Sequence, residues 1–394
     1  MDFSLNDDHL EMREAVRRFM EGEYPAQQRG DPETGEIAAE RWKGMAALGL
    51  LGLPFAVEHG GSGQGPVEVM LAAGEMGRVL GGGAFVPCVV LAGGLFGRTA
   101  SAGQMRRWMP DLASGRLSIA AALYEENARY DWWRVSTHAR EIPGGYSITG
   151  RKTLVLHGDR ADWILLLART SGDTADRAGL SLFAIQATAP GVKVMSFDTL
   201  DGRRAAHVEF TNVEVAADSV LGDIGTAAGH VEGALDAACA ALCAEAVGAI
   251  DTLISLTAEH LRNRHQFGSP LAKFQALQHR LADMAIAREQ LDSMACAAAM
   301  AVEADCVPAV GAGNGNEASD VGIETSSKTR RRLVSAAKVL TGQLGRQVGA
   351  SAIQMHGGMG MTDECRVGHY AKRLLVIGQL FGDAAFHLDR MQKQ

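Results

Sequence analysis

The chain has 394 residues, 47% of them hydrophobic and 21% charged, with a net charge of −8. That length suits two or three domains of roughly 100–200 residues each, and that composition excludes a disordered chain. The acidic balance argues against a nucleic-acid surface, because polyanions are held by clustered Lys and Arg. The densest cationic run, Lys328 to Arg332 ("KTRRR"), reads as a solvated helix start.

Cys88, Cys239, Cys243, Cys296, Cys306 and Cys365 form no CxxC pair and no disulfide-like framework, so a reducing compartment is expected. The opening "MDFSLNDDHL" is acidic and broken, unlike the basic-then-apolar pattern of a signal peptide. No apolar run reads as the roughly 20 residues of a membrane span, and a cytoplasmic protein is expected. The 12 histidines show no HExxH or similar spacing, so no metal site is expected.

From Asn6 to about Gly115 the pattern is helical. "DDHLEMREAVRRFMEGEY" puts Leu10, Val16, Phe19 and Met20 near one face, with Asn6 or Asp7 as cap. The segments around "AERWKGMAALGLLG", "PVEVMLAAGEMGRVLGG" and "AGQMRRWMPDLASG" read the same way. Near Leu117 the character changes. "LSIAAALY", "GGYSITGRKTLVLHG", "ADWILLLART", "GLSLFAIQA", "GVKVMSF" and "AAHVEFTNVEV" are short runs between Gly, Asp and Pro turns, an antiparallel β domain. Helix then returns: Gly233 to Arg264, Pro270 to Ala304, Glu324 to Gln354 and a fourth after Glu364, with a loop at Val307 to Gly322. Long Ala-rich helices of this kind pack as a bundle. The expected fold is α+β multidomain: an N-terminal helical domain (1–116), a central antiparallel β domain (117–226) and a C-terminal four-helix bundle (227–394).

Two stretches carry chemistry. In "QMHGGMGMTDE" (Gln354 to Glu364) a Gly-Gly break leads through apolar residues to a carboxylate. Alone it is weak, because such a break is most often a turn and the acid after it a helix cap. In "NRHQFGSPLAKFQALQHRLADM" (Asn263 to Met284), Arg264 and Phe267 lie at an expected helix-to-helix corner made by Gly268 and Pro270. An Arg beside an aromatic at such a junction can clamp a phosphate while the ring covers a heterocycle.

Together, in this order and with the helix–β–helix domain order, the two stretches resemble the acyl-CoA dehydrogenase family over the whole chain. The resemblance implies an enzyme that oxidises the Cα–Cβ bond of an acyl-CoA thioester, with FAD as cofactor and an electron-transfer flavoprotein as acceptor. It places Arg264 and Phe267 on the FAD pyrophosphate and adenine side across a subunit interface, and Gln354, Gly357 and Gly358 as the other half of that clamp. It makes Glu364 the base that removes the α-proton while the β-hydrogen leaves as hydride. Such a base needs an oxyanion donor and exclusion of water, which the apolar hinge is expected to help provide. Asp363 matches no role and reads as a solvated cap; Ala238, at the family's other base position, carries no carboxylate, and Glu245 reads as structural.

The β domain departs from the family pattern. In "LYEENARYD" Tyr124 stands where a flavin-bonding Thr is usual, and Arg129 and Tyr130 where Gly-Ser is usual. Leu154 and Leu156 replace the Trp and Thr of the flavin wall. Two readings follow: FAD held through altered contacts, with Tyr124 and Leu154 at the ring, or a half-site subunit serving a partner's flavin. "LCAEAVGAIDTL", "VGHYAKRL" and "LFGDAAFHL" look most like the small subunit of pimeloyl-CoA dehydrogenase. A tetramer is expected, either of four copies or with a related large subunit. His157, His356 and His369 read as packing histidines.

Overall fold

The computed structural model describes residues 4–25, 35–306 and 316–393. Helix α1 (Asp7–Glu23) starts where the Asn6 side chain accepts the His9 N–H at 2.8 Å and Asp7 and Asp8 fill the positive first turn. Val16 and Met20 are buried as the periodicity requires, whereas Leu10 is exposed. After α2 (Gly35–Ala47), α3 (Pro66–Val79) opens on a proline, with the Glu68 carboxylate accepting the Gly65 N–H at 2.8 Å. A buried π-helical turn, Phe85–Gly93, runs into α4 (Gly94–Thr99), and α5 (Ala102–Ala113) follows a Ser101/Gln104 capping box.

The β strands are β1 (Ile119–Ala122), β2 (His138–Ile142), β3 (Gly145–Leu156), β4 (Trp163–Arg169), β5 (Leu180–Gln186), β6 (Val192–Asp198), β7 (Arg204–Ala216) and β8 (Val220–Leu221). They form one sheet in the order β6-β7-β3-β2-β4-β5-β8, with β1 beside β4. The sheet is mixed and not purely antiparallel as expected, because β1 pairs with β4 in parallel and β2 meets β4 in parallel at His138 and Arg169. The near-continuous burial of β4 and β5 explains their largely apolar runs, broken in β5 by Ser181. A bulge falls between Lys152 and Val155 of β3.

Helix α6 (Ala228–Asn263) ends in a short hairpin, β9 (His265–Gln266) and β10 (Ser269–Pro270); α7 (Gln275–Cys306), α8 (Asn316–His356), α9 (Arg366–Gln379) and α10 (Ala384–Gln392) complete the chain. Helix α8 packs against α7, α9 and α10. Two expectations are corrected here. The backbone is already helical from Asn316, inside the stretch read as a loop, and two helices follow Glu364 because Gly382 and the Asp383 cap restart the chain. The first part of that loop, 307–315, lies outside the described residues. Helix α6 is long and apolar enough to cross a membrane by length and composition alone, and 78% of its apolar window is buried inside the protein.

By contact density the chain divides into two compact units, one of Met1–Pro32, Gly65–Gly82 and Cys239–Gln394, the other of Glu33–Gln64 and Gly83–Ala238. The first 116 residues therefore contribute to both.

Candidate functional site

In the first unit, the expected corner at Arg264 is a two-residue β-hairpin. Gln266 faces Ser269 and His265 faces Pro270, with left-handed φ at both turn residues, Phe267 (55°) and Gly268 (75°). Positive φ at both positions matches the twist of the flanking strands. Phenylalanine in that conformation is strained, the kind of outlier that accumulates at ligand clamps. The Leu271 N–H closes the turn onto the Arg264 carbonyl at 2.8 Å. The result is a projecting ring: Phe267 is 88% exposed, with only an edge contact to Phe274 at 6.0 Å.

The second stretch meets the first inside this unit. His260, one turn before Arg264, stacks on His356 of α8 with ring centroids 4.3 Å apart, and His356 Nδ1 lies 2.9 Å from the Ala352 carbonyl. Gln354 is exposed on the last turn of α8. Gly357 has φ 62°, and a Cβ added at Gly357 or Gly358 would meet nothing within 4 Å. The first glycine is therefore required by backbone conformation, and both leave an open backbone surface. Arg264, Phe267, Gln354, Gly357 and Gly358 thus belong to one end of the bundle.

Glu364 lies in the turn before α9 and is exposed. Met359 and Met361 in the hinge are 53% and 76% exposed, so the apolar cover expected from the sequence is not supplied by the flanking residues. Asp363 is solvated, 3.4 Å from Lys372, while its carbonyl lies 2.9 Å from His369 Nε2. Glu245 is structural: it is buried and held in a two-pronged ion pair by Arg373.

In the second unit, the Thr153 N–H donates to the Tyr124 carbonyl at 2.9 Å, so Tyr124 and the bulge carrying Leu154 lie side by side. Tyr124 is 8% exposed and Leu154 is half-buried with φ 51°. Arg129 also adopts left-handed φ (47°), a conformation that favours glycine, and its guanidinium sits 5.9 Å from the Tyr130 ring.

Sequence reasoning missed the brace behind this loop. Lys152 is fully buried, and its ammonium donates to Glu125 at 2.9 Å and to the Leu123 carbonyl at 3.3 Å. Glu125 also accepts the Ser136 and Thr137 N–H groups at 2.8 and 3.0 Å. Burial pushes the Lys152 ammonium down to about 8 against the pull of Glu125, and the Glu125 carboxylate lies below its usual range because Lys152 and the two N–H groups outweigh its burial. No local signal marks it: Lys152 stands between Arg151 and Thr153, and its partner Glu125 lies 27 residues away in the chain. Among the described residues no cluster of three or more His, Cys, Asp or Glu is placed to hold a metal ion.

Three family models match successive parts of the chain: the acyl-CoA dehydrogenase N-terminal domain over residues 6–116, the middle domain over 120–213 and the C-terminal domain over 229–394. A probable acyl-CoA dehydrogenase of Bacillus subtilis (strain 168) is 26% identical over 386 residues, covering 96% of either chain. The NADH-dependent acryloyl-CoA reductase of Anaerotignum propionicum is 31% identical over 292 residues, 72% of this chain and 74% of that one. The fold is that of butyryl-CoA dehydrogenase from Megasphaera elsdenii, at a TM-score of 0.83 and 21% identity, covering 100% of this chain and 99% of that one.

Proposed function

The chain belongs to the acyl-CoA dehydrogenase family of flavoprotein oxidoreductases, and from that premise we propose that it binds FAD and desaturates an acyl-CoA thioester between Cα and Cβ, with an electron-transfer flavoprotein as acceptor. The observation that carries this reading is the gathering of Arg264, Phe267, Gln354 and the Gly357–Gly358 backbone at one end of the bundle, joined by the His260–His356 stack. The residues there fit an aromatic dinucleotide. The exposed guanidinium suits a pyrophosphate, the projecting Phe267 ring suits a heterocycle, and the bare glycine backbone lets a planar group approach. When bound, FAD supplies the hydride acceptor.

Glu364 is the proposed base, taking the α-proton on its carboxylate oxygen. Tyr124 and Leu154 would border the flavin ring in place of the family's Thr and Trp, with the Lys152–Glu125 brace holding their loop. The proposal extends to dicarboxylyl-CoA thioesters, from the small-subunit resemblance, to a reducing cytoplasmic setting, supported by the free thiols, and to a tetramer. A flavin-loaded active species at the monomer mass of 41.7 kDa in sedimentation would refute the tetramer.

A second reading, a half-site subunit serving a partner chain's flavin, is favoured by the bulk of Arg129 and Tyr130 and by the exposure of Glu364. One experiment separates the two. The protein alone is given excess FAD and desalted, and then acyl-CoA is added. Under the first reading it stays yellow and bleaches, and Glu364→Gln stays yellow without bleaching. Colourless wild-type protein supports the second reading, and bleaching of the variant at the wild-type rate removes Glu364 from the mechanism.

A further inference from the structure

The turn Gly357–Met361, between α8 and the segment that leads into α9, holds two thioethers out in solvent. Met359 is 53% exposed and Met361 76% exposed. Every other methionine among the described residues is buried or half-buried, so the solvent-facing thioethers sit at this one turn. A sulfur in the core is sealed from aqueous oxidants, whereas one in solvent offers them its lone pairs.

The backbone enforces that exposure. Gly360, between the two methionines, is buried, and a Cβ there would lie 2.8 Å from the Ile353 carbonyl oxygen and 3.1 Å from His356 Cβ. The turn is therefore pressed by its glycine against the last turns of α8. The residues on either side of Gly360 have no room to turn inward together.

Beyond the glycine the turn is held by few bonds. The Met359 carbonyl accepts both the N–H and the hydroxyl of Thr362 at 3.1 Å, and the Thr362 carbonyl accepts the Cys365 N–H at 3.2 Å. Thr362 carries the only hydroxyl between Gly357 and Glu364, and it is exposed. A thioether is too weak an acceptor to compete for it. A sulfoxide oxygen is polar and a far better acceptor, and here it would arise one and three residues away from that hydroxyl in the chain.

We propose that Met359 and Met361 form a reversible oxidation site, at which hydrogen peroxide loosens the turn leading to Glu364. The sulfur lone pair attacks one peroxide oxygen; the S–O bond forms, the O–O bond breaks, and after a proton shift the second oxygen leaves as water. The sulfur loses two electrons and the peroxide gains them. A dithiol-dependent methionine sulfoxide reductase reverses the step, releasing the oxygen as water while the dithiol becomes a disulfide. Peroxide is uncharged, so the exposed Asp363 and Glu364 do not repel it. The new oxygen draws the Thr362 donors away from the Met359 carbonyl, and the backbone before Glu364 is released. The proposal rests on the turn alone and requires neither bound flavin nor the proposed reaction.

The test treats the full chain with dilute hydrogen peroxide, maps oxygen addition by peptide mass spectrometry and follows hydrogen exchange between Gly357 and Gly368. The first oxygen atoms are expected on Met359 and Met361. The Thr362 and Cys365 amides should then exchange about fivefold faster, the loss of one ordinary hydrogen bond, and the reductase should restore both mass and exchange. Met359→Leu/Met361→Leu keeps two exposed apolar side chains without sulfur, and its exchange should not respond to peroxide. Cys365→Ser removes the neighbouring thiol and should respond as wild type. Oxygen added first to other methionines, exchange unchanged once both sulfoxides have formed, or a response lost in Cys365→Ser but kept in the leucine variant overturns the proposal.

Discussion

His260 at the end of α6 and His356 at the end of α8 stack with ring centroids 4.3 Å apart and planes within 25°. The pair couples the arginine hairpin to the glycine break, and His356 Nδ1 contacts the Ala352 carbonyl in the manner of a donating N–H. Burial holds His260 below the usual imidazole range, reinforced by His356 and Arg264.

Replacing either histidine should therefore loosen the clamp without removing any group proposed to touch the cofactor. His260→Ala or His356→Ala is expected to weaken FAD binding about tenfold, equivalent to ~1.4 kcal/mol. Flavin fluorescence titration measures this. A dissociation constant equal to wild type in both variants would show the stack to be incidental.

The buried pair of Glu245 and Arg373 supports the same bundle end at a distance. Its bidentate bonds are 2.8 and 2.7 Å, and the side chains are 3% and 4% exposed. Removing one partner leaves a buried charge, so Glu245→Gln or Arg373→Met should cost about 3–5 kcal/mol. The double variant Glu245→Met/Arg373→Met is expected to recover most of that in denaturant unfolding. Additive losses in the double variant would contradict a paired role.

His157 sets an acid limit for the second unit. It stacks near Trp42, with ring centroids 6.2 Å apart, and burial pushes its imidazole down to about 4, with Asp159 opposing. The unfolded chain binds a proton near 6.5, before the folded protein does. Stability from this residue is thus full above about 6.5 and is lost as pH falls toward about 4, by at most ~3 kcal/mol. His157→Gln should flatten the melting temperature across that window. An unchanged slope would place the acid sensitivity elsewhere.

Much of the molecule was legible beforehand because it is written in local pattern. Asn6 caps the first helix as its side chain allows, the largely apolar runs of β4 and β5 are buried strands, and Ala-rich periodicity marks α6 and α8. The candidate clamp was legible because Arg264, Phe267, Gln354 and the glycine pair sit in two long contiguous stretches. The Lys152–Glu125 brace and the His260–His356 stack were not. Each joins residues far apart in the chain, and no periodicity reports a partner.

The sequence by itself determined the order of helices and strands, the family-bearing motifs and the residues that could carry charge or conjugated surface, since these depend on side-chain chemistry and short-range backbone preference. Tertiary structure alone decided that Arg264 leads into a hairpin and not a corner, that β1 and β4 run parallel, and that Phe267, Arg129 and Leu154 hold left-handed backbone. It also decided that Glu364 stands exposed while Lys152 is fully buried. The physical reason is the same throughout: strand partners, strained dihedrals and the solvation of a charge are fixed by what packs against a segment, and only the folded chain brings those neighbours together.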